Sequence, residues 1–321
     1  MINLRNFYIL NFIIAMILSL VLGPIIIPEL KKLKIGQTIR EDGPESHLVK
    51  TGTPIMGGII FIIATVVTMI VFGVKSKSAL ICIASMIGFG GIGFIDDYLI
   101  VVKKTNEGIT PRQKFSAQII VSLLIIFFAI QDSSVLNLYI PFLGDNKIYL
   151  GWLFYPLTLF VMLGTVNSVN LTDGLDGLAS TVSVIALVGL GIMNAFKFNR
   201  DIAIFSMTLA GALVGFLKFN RYPAQTFMGD VGSLAIGGAF AAIAITSGIT
   251  LYLPFVGIIF VIETLSVIIQ VISFKTTGKR AFLMAPIHHH FEAKGIHETK
   301  IVKIFSLITL VFTIISILGI R

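Results

Sequence analysis

The sequence predicts an all-α polytopic membrane protein of about ten transmembrane helices, with both termini extracytoplasmic and the active site at the cytoplasmic face. Three observations carry that prediction. Hydrophobic residues make up 56% of the 321 and charged residues only 12%, about half the charged share of a soluble domain, and the mean hydropathy is +0.97. Apolar runs long enough for a bilayer core, about 20 residues each, recur from end to end. Basic residues crowd into alternate loops. Soluble, disordered and fibrous classes are excluded, and residues 1–321 read as a single integral membrane domain. The excess of 24 Lys+Arg over 16 Asp+Glu sets topology in such a chain and does not call for a nucleic-acid partner.

In order, the spans are expected near 7–28, 54–73, 79–95, 115–131, 152–168, 178–196, 202–217, 231–249, 252–273 and 302–320. The first is too long for a signal-peptide core and lacks a small-residue cleavage site, so it is expected to stay as a helix. Between the fourth and fifth spans, Tyr139 to Leu150 with an intervening Gly144-Asp145-Asn146 reads as a β-hairpin. Seven basic residues (Arg5, Lys75, Lys77, Lys147, Lys197, Arg200, Arg321) fall in one set of loops, and the other seventeen, from Lys31 to Lys303, fall in the alternate set. The positive-inside rule makes that richer set cytoplasmic. All acids but Asp132, Asp145 and Asp201 share its side. The one cysteine, Cys82, lies in an apolar run and reads as a small buried side chain, with no disulfide or cysteine metal cluster.

Five polar constellations lie at cytoplasmic helix ends. In Lys50-Thr-Gly-Thr53-Pro54-Ile-Met-Gly57-Gly58, Thr53 as cap and Pro54 at the first helical position would start the second helix, and the glycines would permit close helix contact. Lys50 before a positive dipole end suits an anion such as phosphate. Gly88 to Gly93 formally contain G-x-G-x-x-G, but inside a membrane span they serve packing. The adjoining Asp96 and Asp97, at a helix C-terminus, oppose the dipole and repel each other, so they want a cation or a proton; Lys103 and Lys104 are the plain ion-pair partners. In Asn167 to Gly177, Asp173 either caps the sixth helix or, with Asn170, Asp176 and the glycines, approaches a polar ligand or metal, though not with EF-hand spacing.

The fourth constellation, Lys218 to Asp230, sets aromatics, Asn220 and a lone carboxylate before a helix, and interfacial anchoring explains only its Phe219 and Tyr222. The fifth is Pro286-Ile-His288-His289-His290-Phe-Glu292. Three successive histidines do not face one point on a helix, which argues against a three-histidine zinc site; beside a basic stretch they suit phosphate. Glu263 and Gln270, seven apart on one face of the ninth span, need a partner or a cavity.

Lys50-x-Gly-Thr-Pro, Asp96-Asp97, Asn170-Leu-Thr-Asp-Gly-Leu-Asp-Gly177, Phe227-Met-Gly229-Asp230 and Pro286-Ile-His-His-His290-Phe-Glu together resemble the phospho-N-acetylmuramoyl-pentapeptide transferases, a branch of the polyprenyl-phosphate N-acetylhexosamine-1-phosphate transferases. The acidic motifs fit the whole superfamily; the triple histidine and its flanks narrow the match. The family usually has Thr where this sequence has Ile55, so a ligand contact through that hydroxyl is not carried over.

The resemblance implies ten helices, a homodimer in the bacterial inner membrane, and a Mg²⁺-dependent cytoplasmic site of peptidoglycan synthesis, serving cell shape and division. Undecaprenyl phosphate would attack the β-phosphate of UDP-N-acetylmuramoyl-pentapeptide, giving lipid I and UMP. For that reaction Asp230 is the expected metal ligand, and Asp96 or Asp97 is expected to hold the lipid phosphate's proton or to reach a water on the metal. Lys50, Lys114 and His289 are expected to clamp phosphates, and Asn220, Phe227, Asp173 and Asp176 to bind the uridine end. Thr53, Asn170, Gly229, His288 and His290 complete the expected substrate contacts. The alternatives are a transferase using UDP-N-acetylglucosamine and, more remotely, a proton-coupled transporter, whose acids would lie at the midplane.

Overall fold

The structure, a computed structural model, describes residues 4–32, 52–72, 75–103, 108–197 and 199–321. It is a helical bundle. The helices are α1 (Leu4–Lys32), α2 (Gly58–Val71), α3 (Lys77–Lys103), α4 (Pro111–Ala129), α5 (Phe154–Thr172), α6 (Leu178–Phe196), α7 (Arg200–Asn220), α8 (Gly229–Thr246), α9 (Leu253–Val256), α10 (Ile258–Thr277), α11 (Ile287–Ala293) and α12 (Glu298–Gly319). Among the described residues nine helices are long and apolar enough to cross a membrane, and α2, with 14 residues, is a shorter apolar one.

At the centre lies α8. Every residue from Val231 to Ile245 is buried, as expected of a helix that is apolar all round, with α3 and α5 packed along it. Small residues allow the close approach: a Cβ on Gly93 of α3 would collide with the Asp230 backbone, and one on Gly58 of α2 with Gly232. The packing role expected of these glycines is therefore met, and van der Waals contact is what holds helices together where lipid is as apolar as the side chains. On the periphery, α10 and α12 expose Leu265, Ile268, Ile272, Leu307, Val311 and Ile314, the faces that lipid would cover. Cys82 is buried, as expected.

The hairpin forms as predicted, with β1 (Asn137–Tyr139) antiparallel to β2 (Lys147–Tyr149) in the register Asn137 to Tyr149. It docks on the turn after α8 through Tyr139 N–H to Gly248 O at 2.8 Å. At this same end Phe7 meets Phe72, Lys197 pairs with Asp145, and Arg321 stacks over Phe196. The acidic motifs all lie at the other end.

Three expectations about helix limits are corrected. Thr53 and Pro54 do not start the second helix, which begins at Gly58. Residues 54–57 are instead irregular, with Met56 at φ +70°, and are tied to the segment before α8: the Pro54 carbonyl accepts from Phe227 N at 2.9 Å and Thr226 Oγ1 at 2.9 Å, and Gly57 and Gly58 donate to the Phe227 and Met228 carbonyls. Those pairings satisfy backbone groups that a helix would otherwise use. Ile55 is buried in a small cluster with Leu30, Met56 and Val231, an apolar role that its side chain fits. The ninth span is interrupted: a 3₁₀ turn at Thr250–Tyr252 leads into four-residue α9, which breaks at Gly257 before α10. Similarly, α4 begins at Pro111, ahead of the expected 115, because Thr110 and Gln113 close a capping box with proline at the first helical position.

Candidate active site

At the end of the bundle opposite the hairpin, four helices present polar side chains to one another. The last turns of α3 carry Asp96 and Asp97, both buried. Asp96 Oδ1 accepts the Ile109 N–H at 2.8 Å, and its Oδ2 accepts from Lys114 Nζ at 3.0 Å. The same ammonium, from the start of α4, makes a short contact with Asp230 Oδ2. Asp230 stands in the first turn of α8, where the positive dipole end favours a carboxylate. Its Oδ1 accepts from Asn170 Nδ2 at 2.7 Å, and that amide also donates to Ser233 Oγ at 2.9 Å. Asp97 Oδ2 accepts the Val231 N–H at 3.1 Å. Gly229, with φ +68°, admits no side chain here, since a Cβ would collide with the Asp97 carboxylate.

Among the described side chains of the site, negative charge is in excess. Asp173, just past the end of α5, feels Asp230, Asp97 and Asp176; burial and then those three charges push its carboxyl well above the ordinary carboxylate range. Oxygen donors short of positive charge are the chemistry of a hard divalent cation. Among the described residues no group of three or more His, Cys, Asp or Glu is arranged to hold a metal alone, so a cation here would use few protein ligands, as Mg²⁺ does when phosphates and water complete its shell. The donor set fits that ion, with Asp230 at its head.

The histidine run is helical, as α11, and its three rings go to three places. His288 is fully buried, with Nδ1 3.1 Å from Glu263 Oε1. His289 Nδ1 lies 2.7 Å from Glu292 Oε2. His290 Nδ1 accepts the Leu283 N–H at 3.1 Å, which puts its own proton on Nε2. The two clusters meet at the loop 173–177, because a Cβ on Gly174 would collide with His288 Nε2. That loop is further tied down by Ala224 N–H to Asp176 Oδ2 at 2.9 Å and by Asp176 N–H to Glu298 Oε2 at 3.3 Å.

The expected residues therefore divide. Asp96, Asp97, Lys114, Asn170, Asp173, Gly229 and Asp230 come together. Lys114, expected on phosphate, is on carboxylates; the ion pairs expected of Lys103 and Lys104 fall on side chains that lie outside those described. Asn220 spends its amide inside the protein, accepting from Ser180 Oγ at 2.7 Å and donating to Thr226 O at 3.1 Å; Asp176 likewise binds backbone. His288 offers no surface to a ligand. Asp173 does not cap α6, whose N-cap is Gly177. Phe227 and Thr53 are half-buried beside the irregular 54–57 segment. Lys50 lies outside the described residues, as does Lys104.

Sequence reasoning missed Ser233 and the Gln118–Asn167 amide pair, Asn167 Nδ2 to Gln118 Oε1 at 2.8 Å. Spacing was the available signal: Asp230 and Ser233, like Asn167 and Asn170, are three apart and share a helix face.

Residues 79–248, from α3 to the turn after α8, match glycosyl transferase family 4; they contain the aspartate cluster but not α11. Longer similarity reaches further. A phospho-N-acetylmuramoyl-pentapeptide-transferase of Clostridium perfringens is 50% identical over 309 residues, 96% of this chain and 95% of that protein. Proteins of the same name from Thermoanaerobacter sp., 47% identical over 96% of this chain and 97% of its own length, and from Staphylococcus saprophyticus, 48% identical over 95% and 97%, agree. At such identity and coverage, with the aspartate cluster inside the matched region, the chain belongs to the phospho-N-acetylmuramoyl-pentapeptide-transferase family.

Proposed function

We propose that the chain transfers phospho-N-acetylmuramoyl-pentapeptide from its UDP donor to undecaprenyl phosphate, forming lipid I and releasing UMP in peptidoglycan synthesis. It would do so as a homodimer, at the cytoplasmic face of the bacterial inner membrane. One observation carries the chemistry: Asp96, Lys114, Asn170 and Asp230 form a connected charged site at the end of the spans whose loops hold most of the basic residues. The names of the relatives support the substrates.

Joining a phosphate monoester to a diphosphate brings two anions together, so the protein must position them in line and supply positive charge. Lys114, held at 3.0 Å from Asp96, is placed to turn from carboxylate to phosphate oxygen as substrate enters. Asp230 would hold Mg²⁺, which when bound neutralises charge developing on the transferred phosphoryl group. Asp96 or Asp97 accepts whatever proton the lipid phosphate still carries; its second pKa of about 6 leaves few. His289, with Nδ1 directed to Glu292, donates from its other ring nitrogen to a phosphate oxygen. The α–β phosphate bond then breaks, and UMP leaves with the bridging oxygen.

Purified protein given undecaprenyl phosphate, Mg²⁺ and either UDP-N-acetylmuramoyl-pentapeptide or UDP-N-acetylglucosamine tests this. Lipid product and UMP should form only from the muramoyl donor. Equal use of both donors would move the chain to another branch, and no transfer from either would refute the enzyme reading.

A further inference from the structure

A carboxylate buried within a membrane span is costly unless it has a partner or a task. Glu263 on α10 is such a group: it is 0% exposed, and so is His288, whose Nδ1 lies 3.1 Å from its Oε1. That separation suits an ion pair. Neither carboxylate oxygen and neither ring nitrogen has a directed hydrogen bond in the structure. Two neighbours on α10 are anchored more conventionally: Thr264 Oγ1 donates to Ser168 Oγ of α5 at 2.7 Å, and Gln270 clasps the Phe282 backbone in both directions. These contacts anchor α10 on either side of Glu263, and among the described residues the polar side chain that faces its carboxylate is His288.

The far side of the His288 ring rests on Gly174, where a methyl group would collide with Nε2. Gly174 follows Asp173, which interacts electrostatically with Asp230 and Asp97, and His288 precedes His289, with the two ring centroids 4.1 Å apart. Hydrophobic residues of similar volume generally fill such a space at no loss of stability, so packing alone does not account for a buried acid facing a buried imidazole.

From this geometry we infer that Glu263 is a positioning residue for the transfer reaction: through His288 it fixes both the Asp173–Gly174 loop and the start of α11, and so sets His289 against the aspartate cluster. The inference rests on the transferase reading. Glu263 touches no substrate; its carboxylate restrains the His288 ring in one orientation, and Gly174 leaves the space that the orientation needs.

Four variants test this in the purified transfer assay, with thermal melting to monitor folding. Glu263→Gln keeps size but removes charge. It should lower kcat at least tenfold and change the donor KM less than threefold. Gly174→Ala displaces the same ring from the other side and should give the same split. Combined, the two should be no worse than the more severe single change, because both act on one ring. If Glu263→Gln proves too unstable to assay, Glu263→Leu with His288→Leu leaves no stranded charge; it should melt near the wild type and still lose kcat tenfold. Wild-type kcat in Glu263→Gln or in the double leucine variant would overturn the proposal, as would multiplicative losses in the Gln/Ala combination. Absence of transfer by the wild-type protein would instead refute the function itself.

Discussion

Lys114→Met removes the ammonium from between Asp96 and Asp230 while keeping the length of the side chain. At the 3.0 Å separation from Asp96, Coulomb attraction amounts to roughly 5 kcal/mol for an effective dielectric constant of about 20. Desolvation offsets part of this, and removing one partner of a buried pair has a net cost of about 3 kcal/mol. The carboxylates left behind repel each other, and a divalent cation relieves that repulsion. Thermal melting of the purified variant should therefore show a loss of roughly 6–12 °C that millimolar Mg²⁺ largely restores, whereas the wild type gains little. Turnover should fall by about 10²–10³, the usual effect of losing one preorganised donor to developing charge, and the Mg²⁺ needed for half-maximal residual activity should fall too. A variant that melts like the wild type, with unaltered Mg²⁺ dependence, would refute the idea that Lys114 and the cation share one carboxylate site.

Asp230→Asn should lose most activity and need more Mg²⁺ for the remainder, seen in a Mg²⁺ titration of the rate; an unchanged requirement would take Asp230 out of the metal shell. Asp173 gives a pH test. Its carboxyl is raised in the folded protein, so the protonated form is favoured by folding, and the stability it contributes is present at low pH and lost as pH rises through the raised value. Asp173→Asn does not titrate, so its melting temperature should exceed the wild type's by a margin that widens with pH across that window; a margin that shrinks would contradict the shift. A reporter fused after Arg321 should behave as extracytoplasmic, and a cytoplasmic signal would reverse the assignment of every site loop.

The bundle was legible because membrane spans advertise themselves by length and apolarity alone, and the hairpin because Gly144-Asp145-Asn146 punctuates alternating residues. Hydropathy was blind where backbone partners decide the outcome. Pro54 looked like a helix start, but its carbonyl belongs to Phe227 and Thr226. Conversely, the capping residues Thr110 and Gln113 were visible in the sequence, yet lay outside the apolar window that set the limit of α4. Within the site, residue types told which side chains carry charge but not which would meet. Lys114 is 18 residues from Asp96 in sequence, so spacing did not announce that the start of α4 would lie across it. Asn220 and Asp176 are polar residues at helix ends, which serve loop architecture and substrates equally well; their hydrogen bonds to Ser180, Thr226 and Ala224 show an architectural use that the residue types alone did not announce.

The shortness of α2 has a consequence for how the site is held. Its 14 residues rise about 21 Å, against a hydrocarbon thickness of about 30 Å. The residues ahead of it, 54–57, are irregular chain whose backbone groups pair with residues 226–228, which is how such backbone survives at that depth. Residues 226–228 run directly into the first turn of α8, so the start of α2 is stitched by its main chain to the segment that carries Asp230, and neither can shift without the other.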